Sequence, residues 1–326
     1  MNKLYPLKFK PIFKDKIWGG DKIKTVLGKD FSPLPNCGEV WVLSGVEGNQ
    51  TIVENGFLAG NELNELIEIF MDDLVGDKVF NEFRNEFPIL IKFIDAKDWL
   101  SIQVHPDDEL AKKRKIGSGK TEMWYIMDAE ENSELISGFN KKLDKEEYLD
   151  KFKTKKLKDI LNFEKATKGD VFFMPSGRVH ALGPGIMLAE IQQTSDTTYR
   201  IYDWDRVDEK GNSRDLHTEE ALDAFDFNHY DSYRTEYEKE KNKTVEAVEC
   251  PYFKTNVIDL TCGIEKNYIE LDSFVIYVCV EGSVNIEYDE GSVLMNEGDA
   301  VLIPAEISKI RLIPNPTGKI LEVYII

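Results

Sequence analysis

Two of the four histidines stand near other residues whose side chains can bind a metal ion. His105 follows Gln103 by two positions, and side chains two apart share a face of an extended strand. Glu122 comes later in the chain, and His180 later still. Imidazole nitrogens with carboxylate and amide oxygens suit Zn, Fe, Mn, Ni or Co, and they leave a coordination position for substrate or water. By spacing alone each histidine is more readily explained as a hydrogen-bonded structural residue, so the joint pattern carries the prediction.

The four candidate ligands are far apart in sequence, so the interior of a β-structure must bring them together. Most of the chain consists of short segments rich in β-branched and aromatic residues, which Gly, Pro, Asn and Asp separate. The predicted strands lie within 41–45, 87–96, 99–106, 123–129, 170–175, 199–205, 273–282, 300–305 and 320–326. Many short strands with turn signals between them indicate a mainly β protein of the barrel or sandwich type.

Helices are predicted as additions to this β-structure. Apolar residues at helical spacing after Asn61, a predicted N-cap, indicate helix near 61–85, and a second helix is predicted at 144–163. The polar, charge-dense segment 231–246 is the predicted domain boundary. The alternative is a solvated helix or loop within one domain.

One pattern occurs twice. Residues 168–182 and 297–312 both contain Gly-Asp, an apolar run and then Pro, with Gly169 and Gly298 separated by 129 positions. Two similar β units explain this pattern most simply, although so short a pattern also arises by chance.

The overall charge narrows the classes of partner. The chain has 326 residues, of which 60 are acidic and 41 basic, and its formal net charge is −19. This charge argues against binding to nucleic acid or to an anionic membrane surface. No apolar run approaches the roughly 20 residues of a membrane helix, no signal-peptide core opens the chain, and the four cysteines are scattered. We therefore expect a cytoplasmic protein that is a monomer or a weak homo-oligomer.

Two lysines are candidates for binding an anion. Lys92 interrupts an apolar strand, and a buried lysine needs an anionic partner, which can be a bound phosphate or a buried carboxylate. Lys120 precedes Glu122 by two residues, so both side chains can face one site. The segment 117–121 resembles a phosphate loop, but Arg114 occupies the position of its first Gly, which argues against a nucleotide site.

Taken together, the motifs resemble those of the cupin family. The fixed positions of its second motif are filled by Gly169, Pro175, Gly177 and His180. Pro184 stands where that motif usually has Asn. The first motif has Gln103 in place of its first His, and an insertion separates Glu122 from His105. These departures are typical of type I phosphomannose isomerases, which the chain also resembles in segments 17–20, 38–41, 92–96, 101–106 and 190–200.

The resemblance covers about residues 5–215 and implies two cupin-like β-barrels, each a double-stranded β-helix. The first is expected at 1–235 with the helical insertions, and the second at 236–326. The implied zinc ligands are Gln103, His105, Glu122 and His180. Arg200 is implied as a catalytic residue, and Ser101 and Lys120 as residues of the substrate pocket. Lys309 stands where the first β unit has His180, so the second barrel is expected to bind no metal.

The implied reaction interconverts mannose 6-phosphate and fructose 6-phosphate through a cis-enediol, with the metal as Lewis acid and cationic side chains on the phosphate. Arg200 can serve either the phosphate or the reacting oxygens. The general base is open between Glu190, Asp196 and a water on the metal, and a metal ligand can also serve as the base. Two other classes compete, a metal-dependent cupin dioxygenase and a non-catalytic sugar-phosphate-binding cupin. His217 and His229 are expected in surface or packing roles.

Overall fold

The computed structural model describes residues 3–207 and 211–326. The described chain is mainly β with accessory helices, which confirms the predicted fold class. Its strands are β1 (Leu7–Lys10), β2 (Ile12–Lys14), β3 (Glu39–Leu43), β4 (Ile52–Val53), β5 (Ile89–Ala96), β6 (Ile102–Val104), β7 (Glu122–Ala129), β8 (Glu134–Phe139), β9 (Leu161–Lys165), β10 (Val171–Met174), β11 (His180–Leu182), β12 (Ile186–Gln193), β13 (Tyr199–Tyr202), β14 (Arg234–Thr235), β15 (Thr244–Glu249), β16 (Lys254–Leu260), β17 (Ile264–Asn267), β18 (Val275–Tyr288), β19 (Gly291–Asn296), β20 (Ala300–Ile303) and β21 (Lys309–Tyr324). The helices are α1 (Lys22–Thr25), α2 (Leu63–Val75), α3 (Asp77–Phe83), α4 (Asp108–Arg114), α5 (Lys145–Lys153) and α6 (Thr218–Ala221), with a 3₁₀ turn at Leu157–Ile160.

The chain forms two compact units, each built from separate stretches of sequence. The central unit comprises Lys14–Glu39 and Ile94–Thr235. The terminal unit comprises the chain up to Phe13, Val40–Phe93 and Glu236–Ile326. The division into a metal-binding domain at 1–235 and a C-terminal barrel at 236–326 stays a prediction.

The central unit places the candidate ligands on neighbouring strands. One of its sheets has the strand order β13-β6-β11-β8-β9, and the strands β14-β10-β7-β12 adjoin one another in a second. In the first sheet Gln103 lies opposite both His180 and Arg200. In the second, Glu122 lies opposite Gln192 of β12. Since paired residues of adjacent strands share a face, this register brings distant parts of the sequence together.

The terminal unit is organised around β18 and β21. Its sheet has the order β15-β16-β21-β18-β20-β1-β4, with β17 paired to β21 and β19 to β18. One face of these strands carries Ile258, Tyr277 and Ile320, which belong to a buried apolar cluster. The repeated sequence pattern has a structural counterpart, because β10 and β20 each follow a glycine of positive φ, Gly169 at 87° and Gly298 at 84°.

The helix boundaries differ from the predicted ones. Helix α2 begins after Glu62, which forms a capping box with Glu65, so the predicted N-cap Asn61 is wrong. The Asn61 amide instead donates to the Leu58 carbonyl at 2.7 Å. The helix predicted at 144–163 ends with α5, because the last residues of that segment enter β9, which pairs with β8. In the described ranges no helix is both long and apolar enough to span a membrane.

Candidate functional site

Three side chains that can bind a metal ion meet inside the central unit. His105, Glu122 and His180 each offer one donor atom, and these atoms lie within 4.8 Å of one another. His180 Nε2 is 3.3 Å from Glu122 Oε1, and His105 Nε2 is 3.6 Å from Glu122 Oε2. All three residues are only 1% exposed. The sequence prediction that these residues assemble is therefore met by the fold.

Backbone carbonyls orient both imidazole rings. His105 Nδ1 donates to the Thr197 carbonyl and His180 Nδ1 to the Arg178 carbonyl, each at 2.9 Å. Because a carbonyl only accepts, each Nδ1 carries the proton and each Nε2 directs its lone pair into the cluster. Burial lowers the pKa of His180 to about 4, so this ring is neutral at neutral pH. Neutral imidazoles fixed through the second nitrogen are the usual metal-binding form.

Gln103 lies at the edge of the cluster. It stands opposite His180 across β6 and β11, and its amide nitrogen donates to His180 Nε2 at 3.2 Å. A half-turn of the amide exchanges its nitrogen and oxygen, which would direct the oxygen to the same point. Two imidazoles, one carboxylate and one amide oxygen fit a divalent metal of borderline hardness.

A lysine adds positive charge to this cluster. Lys120 is 4% exposed, and its Nζ lies 3.8 Å from Glu122 Oε2. The segment 117–121 leads directly into β7, whereas a phosphate loop opens a helix, so it is no nucleotide site. Ser101 is buried immediately before β6.

Arg200 lies on β13, opposite Gln103. Its guanidinium donates to the Asp215 carbonyl at 2.9 Å, and its backbone N–H donates to His217 Nδ1 at 3.1 Å. Burial lowers the pKa of Arg200 from its usual value of 12.5. The sequence analysis expected only a surface or packing role for His217, and no local motif signals its contact with this arginine.

Glu190 is the buried one of the two carboxylates considered as bases. It is 4% exposed inside β12, and its Oε2 accepts from Trp124 Nε1 at 2.9 Å. The Trp124 ring lies edge-on to His180, with centroids 5.4 Å apart, so Glu190 belongs to the surroundings of the cluster. Asp196, by contrast, is exposed.

Lys92 and His229 have other surroundings. Lys92, in the terminal unit, is 3% exposed, and its Nζ lies 5.0 Å from the centroid of the Trp41 ring. An aromatic face is a partner that the sequence analysis did not consider, and a role of Lys92 in substrate binding stays a prediction. His229 Nδ1 donates to the Phe139 carbonyl at 3.0 Å, which fits the expected packing role.

Comparison with known proteins identifies relatives along nearly the whole chain. A model of the phosphomannose isomerase type I catalytic domain matches residues 6–156, and one of the mannose-6-phosphate isomerase cupin domain matches 243–325. The mannose-6-phosphate isomerase ManA of Bacillus subtilis is 34% identical over 94% of this chain and 95% of its own length. The Streptococcus mutans mannose-6-phosphate isomerase is 40% identical over 67% of each chain. The crystal structure of mannose 6-phosphate isomerase from Bacillus subtilis has a TM-score of 0.88 at 33% identity and covers 98% of this chain and 99% of that one. The chain therefore belongs to the type I phosphomannose isomerase family and is an isomerase.

Proposed function

We propose that this protein interconverts mannose 6-phosphate and fructose 6-phosphate with a zinc ion bound by Gln103, His105, Glu122 and His180. Two relatives that match two thirds or more of the chain are named mannose-6-phosphate isomerases, which supports this substrate. The observation that carries the proposal is the buried His–Glu–His cluster, whose donor atoms lie within 4.8 Å of one another.

The charge of the ligand set suits the proposed chemistry. Three of the four proposed ligands are neutral and one is a carboxylate, so the occupied site would keep a net positive charge. When bound, zinc supplies a Lewis acid that stabilises negative charge developing on a sugar oxygen. Lys120, whose Nζ lies 3.8 Å from Glu122 Oε2, adds a second positive charge beside the cluster.

We assign the proton transfer between C1 and C2, through a cis-enediol, to Glu190. A general base must reach the reacting carbons, and Glu190 lies beside the cluster whereas Asp196 is exposed. The bond from Trp124 Nε1 to Oε2 fixes the orientation of the Glu190 carboxylate. Deprotonated Glu190 would take the proton from one carbon and return it to the other.

The remaining side chains would hold the substrate. Arg200 offers a planar donor for the phosphate or for the enediol oxygens, and Ser101 and Lys120 are the further proposed contacts. Fixing the phosphate keeps the reacting carbons in register with the base.

A coupled assay of fructose 6-phosphate formation from mannose 6-phosphate tests the proposal. The purified full chain is assayed as isolated, after chelation and after zinc is added back. Loss on chelation and recovery with zinc are the expected results. Folded, zinc-loaded protein that forms no fructose 6-phosphate would refute the proposed reaction, and undiminished activity after complete metal removal would refute the metal's role.

A further inference from the structure

The terminal unit contains a second buried polar cluster, centred on Glu322 of β21. Glu322 Oε1 accepts from Lys266 Nζ at 2.7 Å, from Tyr277 at 3.2 Å and from the hydroxyl of Tyr268. Its Oε2 accepts from the Asn256 amide at 2.8 Å. The Glu322 side chain is 2% exposed, so these four donors hold a desolvated carboxylate in one orientation.

A cavity of about 550 Å³ opens beside this cluster. Ligand pockets typically measure roughly 300–1,000 Å³, so its size suits a small molecule. Its lining includes Asn242, Asn256, Lys266, Tyr268, Glu322 and Tyr324. The cavity therefore presents amide, ammonium, phenol and carboxylate groups together on one side.

Glu322 occupies the same register position in its sheet as Glu190 does in the central unit. Glu322 lies opposite Tyr277 across β21 and β18, and Glu190 lies opposite Trp124 across β12 and β7. In both pairs the aromatic side chain on the neighbouring strand donates a hydrogen bond to the carboxylate, through the Tyr277 hydroxyl in one and through Trp124 Nε1 in the other. The second polar cluster thus stands where the repeated β unit of the central unit has its metal cluster.

The metal ligands are replaced at these positions. Val275 precedes Tyr277 by two residues, as Glu122 precedes Trp124, and it offers no donor atom. Lys309, at the sequence position that corresponds to His180, is exposed. The terminal unit therefore has polar side chains at the positions that surround the metal cluster in the central unit, but it lacks the groups that would bind a metal.

We propose that this cavity binds a neutral, polyhydroxylated sugar, at a site separate from the proposed catalytic centre. Amide, phenol and carboxylate groups at fixed spacing supply both donors and acceptors for sugar hydroxyls. Lys266 is already paired with Glu322, and Glu265 and Glu270 add acidic groups to the lining, so a phosphate would be repelled. The acidic Glu265 and Glu270 make a cation the main competing class of ligand, which the titrations below test.

The test measures binding of D-mannose and D-glucose to the chelated full chain by saturation-transfer NMR and calorimetry. Binding is expected to persist in His180→Ala, which removes a donor from the central cluster. Sugar binding that disappears in His180→Ala would place the sugar at the metal centre and overturn the proposal. The proposal would also be overturned if neither sugar bound the wild-type chain at any concentration up to the solubility limit.

Two variants and a matched control locate the site. Lys266→Met and Tyr268→Phe are each expected to weaken sugar binding about tenfold, the effect of losing one hydrogen bond that involves a charged group. Lys319→Met removes a lysine of β21 that is likewise paired with an acid, Asp259 at 3.4 Å, and it should leave sugar binding unchanged. Melting curves establish whether each variant is folded. If Lys266→Met does not fold, Tyr268→Phe alone tests the location of the site.

Competing ligand classes are tested in the same titrations. Spermidine or mannose 6-phosphate that displaces the neutral sugar, with affinity lowered by Lys266→Met, would overturn the proposed chemistry. Equal sugar affinity in wild type, Lys266→Met and Tyr268→Phe would overturn the proposed location. The proposal stands only if the neutral sugar binds, the two cavity variants weaken it and Lys319→Met does not.

Discussion

Replacing His180 by Ala removes one nitrogen donor from the metal cluster, and its effect on zinc affinity can be anticipated. Structural zinc sites of four ligands bind with roughly 10–16 kcal/mol, so one ligand contributes about 3–4 kcal/mol, or 10²–10³-fold in affinity. His180 is 1% exposed, so its removal leaves a space beside Glu122 that water can enter and use to replace part of this contribution. We therefore expect a loss near the lower limit, about 100-fold.

Zinc affinity is measured by competition with a chromophoric chelator, and turnover by the coupled assay at limiting zinc. Both should fall together in His180→Ala, and added imidazole should restore part of both because it supplies the missing nitrogen. The matched control is His229→Ala, since His229 also bonds a carbonyl through Nδ1 but lies outside the cluster. If His180→Ala kept its zinc affinity within about threefold of the wild type, the assignment of this cluster as the metal centre would be wrong.

Three further predictions concern other residues of the central unit. Arg200→Ala should retain zinc and lower kcat by about 10²–10³-fold, since it removes a donor to developing charge; undiminished kcat would contradict its catalytic role. Glu190→Gln should lower kcat at least about 100-fold with zinc retained, whereas Asp196→Asn should change kcat by less than about threefold. If Asp196→Asn instead caused the larger loss of kcat, Asp196 rather than Glu190 would be the general base. Burial raises the pKa of Asp95 from 3.8 to about 6, so its charged form is disfavoured in the folded state. The control is Asp95→Asn, whose amide oxygen can still accept the backbone N–H of Lys22, now bonded at 2.7 Å. Relative to this variant, the unfolding free energy of the wild type should fall by about 3 kcal/mol as pH rises from 3.8 to above 6. A difference in urea unfolding that does not change with pH would refute this.

Strand positions were predictable where local composition determines them. Each of the nine predicted strand segments overlaps a strand, because β-branched and aromatic runs bounded by turn residues have few other ways to bury their apolar faces. The helix predicted at 144–163 is too long, since its apolar residues continue at helical spacing although the chain forms a 3₁₀ turn at Leu157–Ile160 and then pairs with β8 from Leu161. Pairing with a strand some thirty residues earlier depends on tertiary contacts, which helical spacing does not report.

The metal cluster was predictable because its residues form motifs, whereas its surroundings were not. The hydrogen bond from Trp124 to Glu190 joins strands 66 positions apart, and the bond from Arg200 to His217 depends on where a loop returns. Neither contact follows from sequence spacing, since strand register sets the first and the path of a loop sets the second. The same reason kept the polar cluster around Glu322 out of the sequence analysis, in which that residue was simply part of a predicted strand.

The two buried glutamates raise the same energetic question. A desolvated carboxylate needs several donors to offset its burial, and apolar residues of similar volume often serve the core equally well or better. Packing alone therefore does not call for Glu190 or for Glu322. For Glu190 the proton transfer proposed for it beside the metal cluster supplies a reason. For Glu322, which has no metal ligands beside it, a ligand in the adjoining cavity is the corresponding reason, and the effect of Tyr268→Phe on sugar binding decides whether it holds.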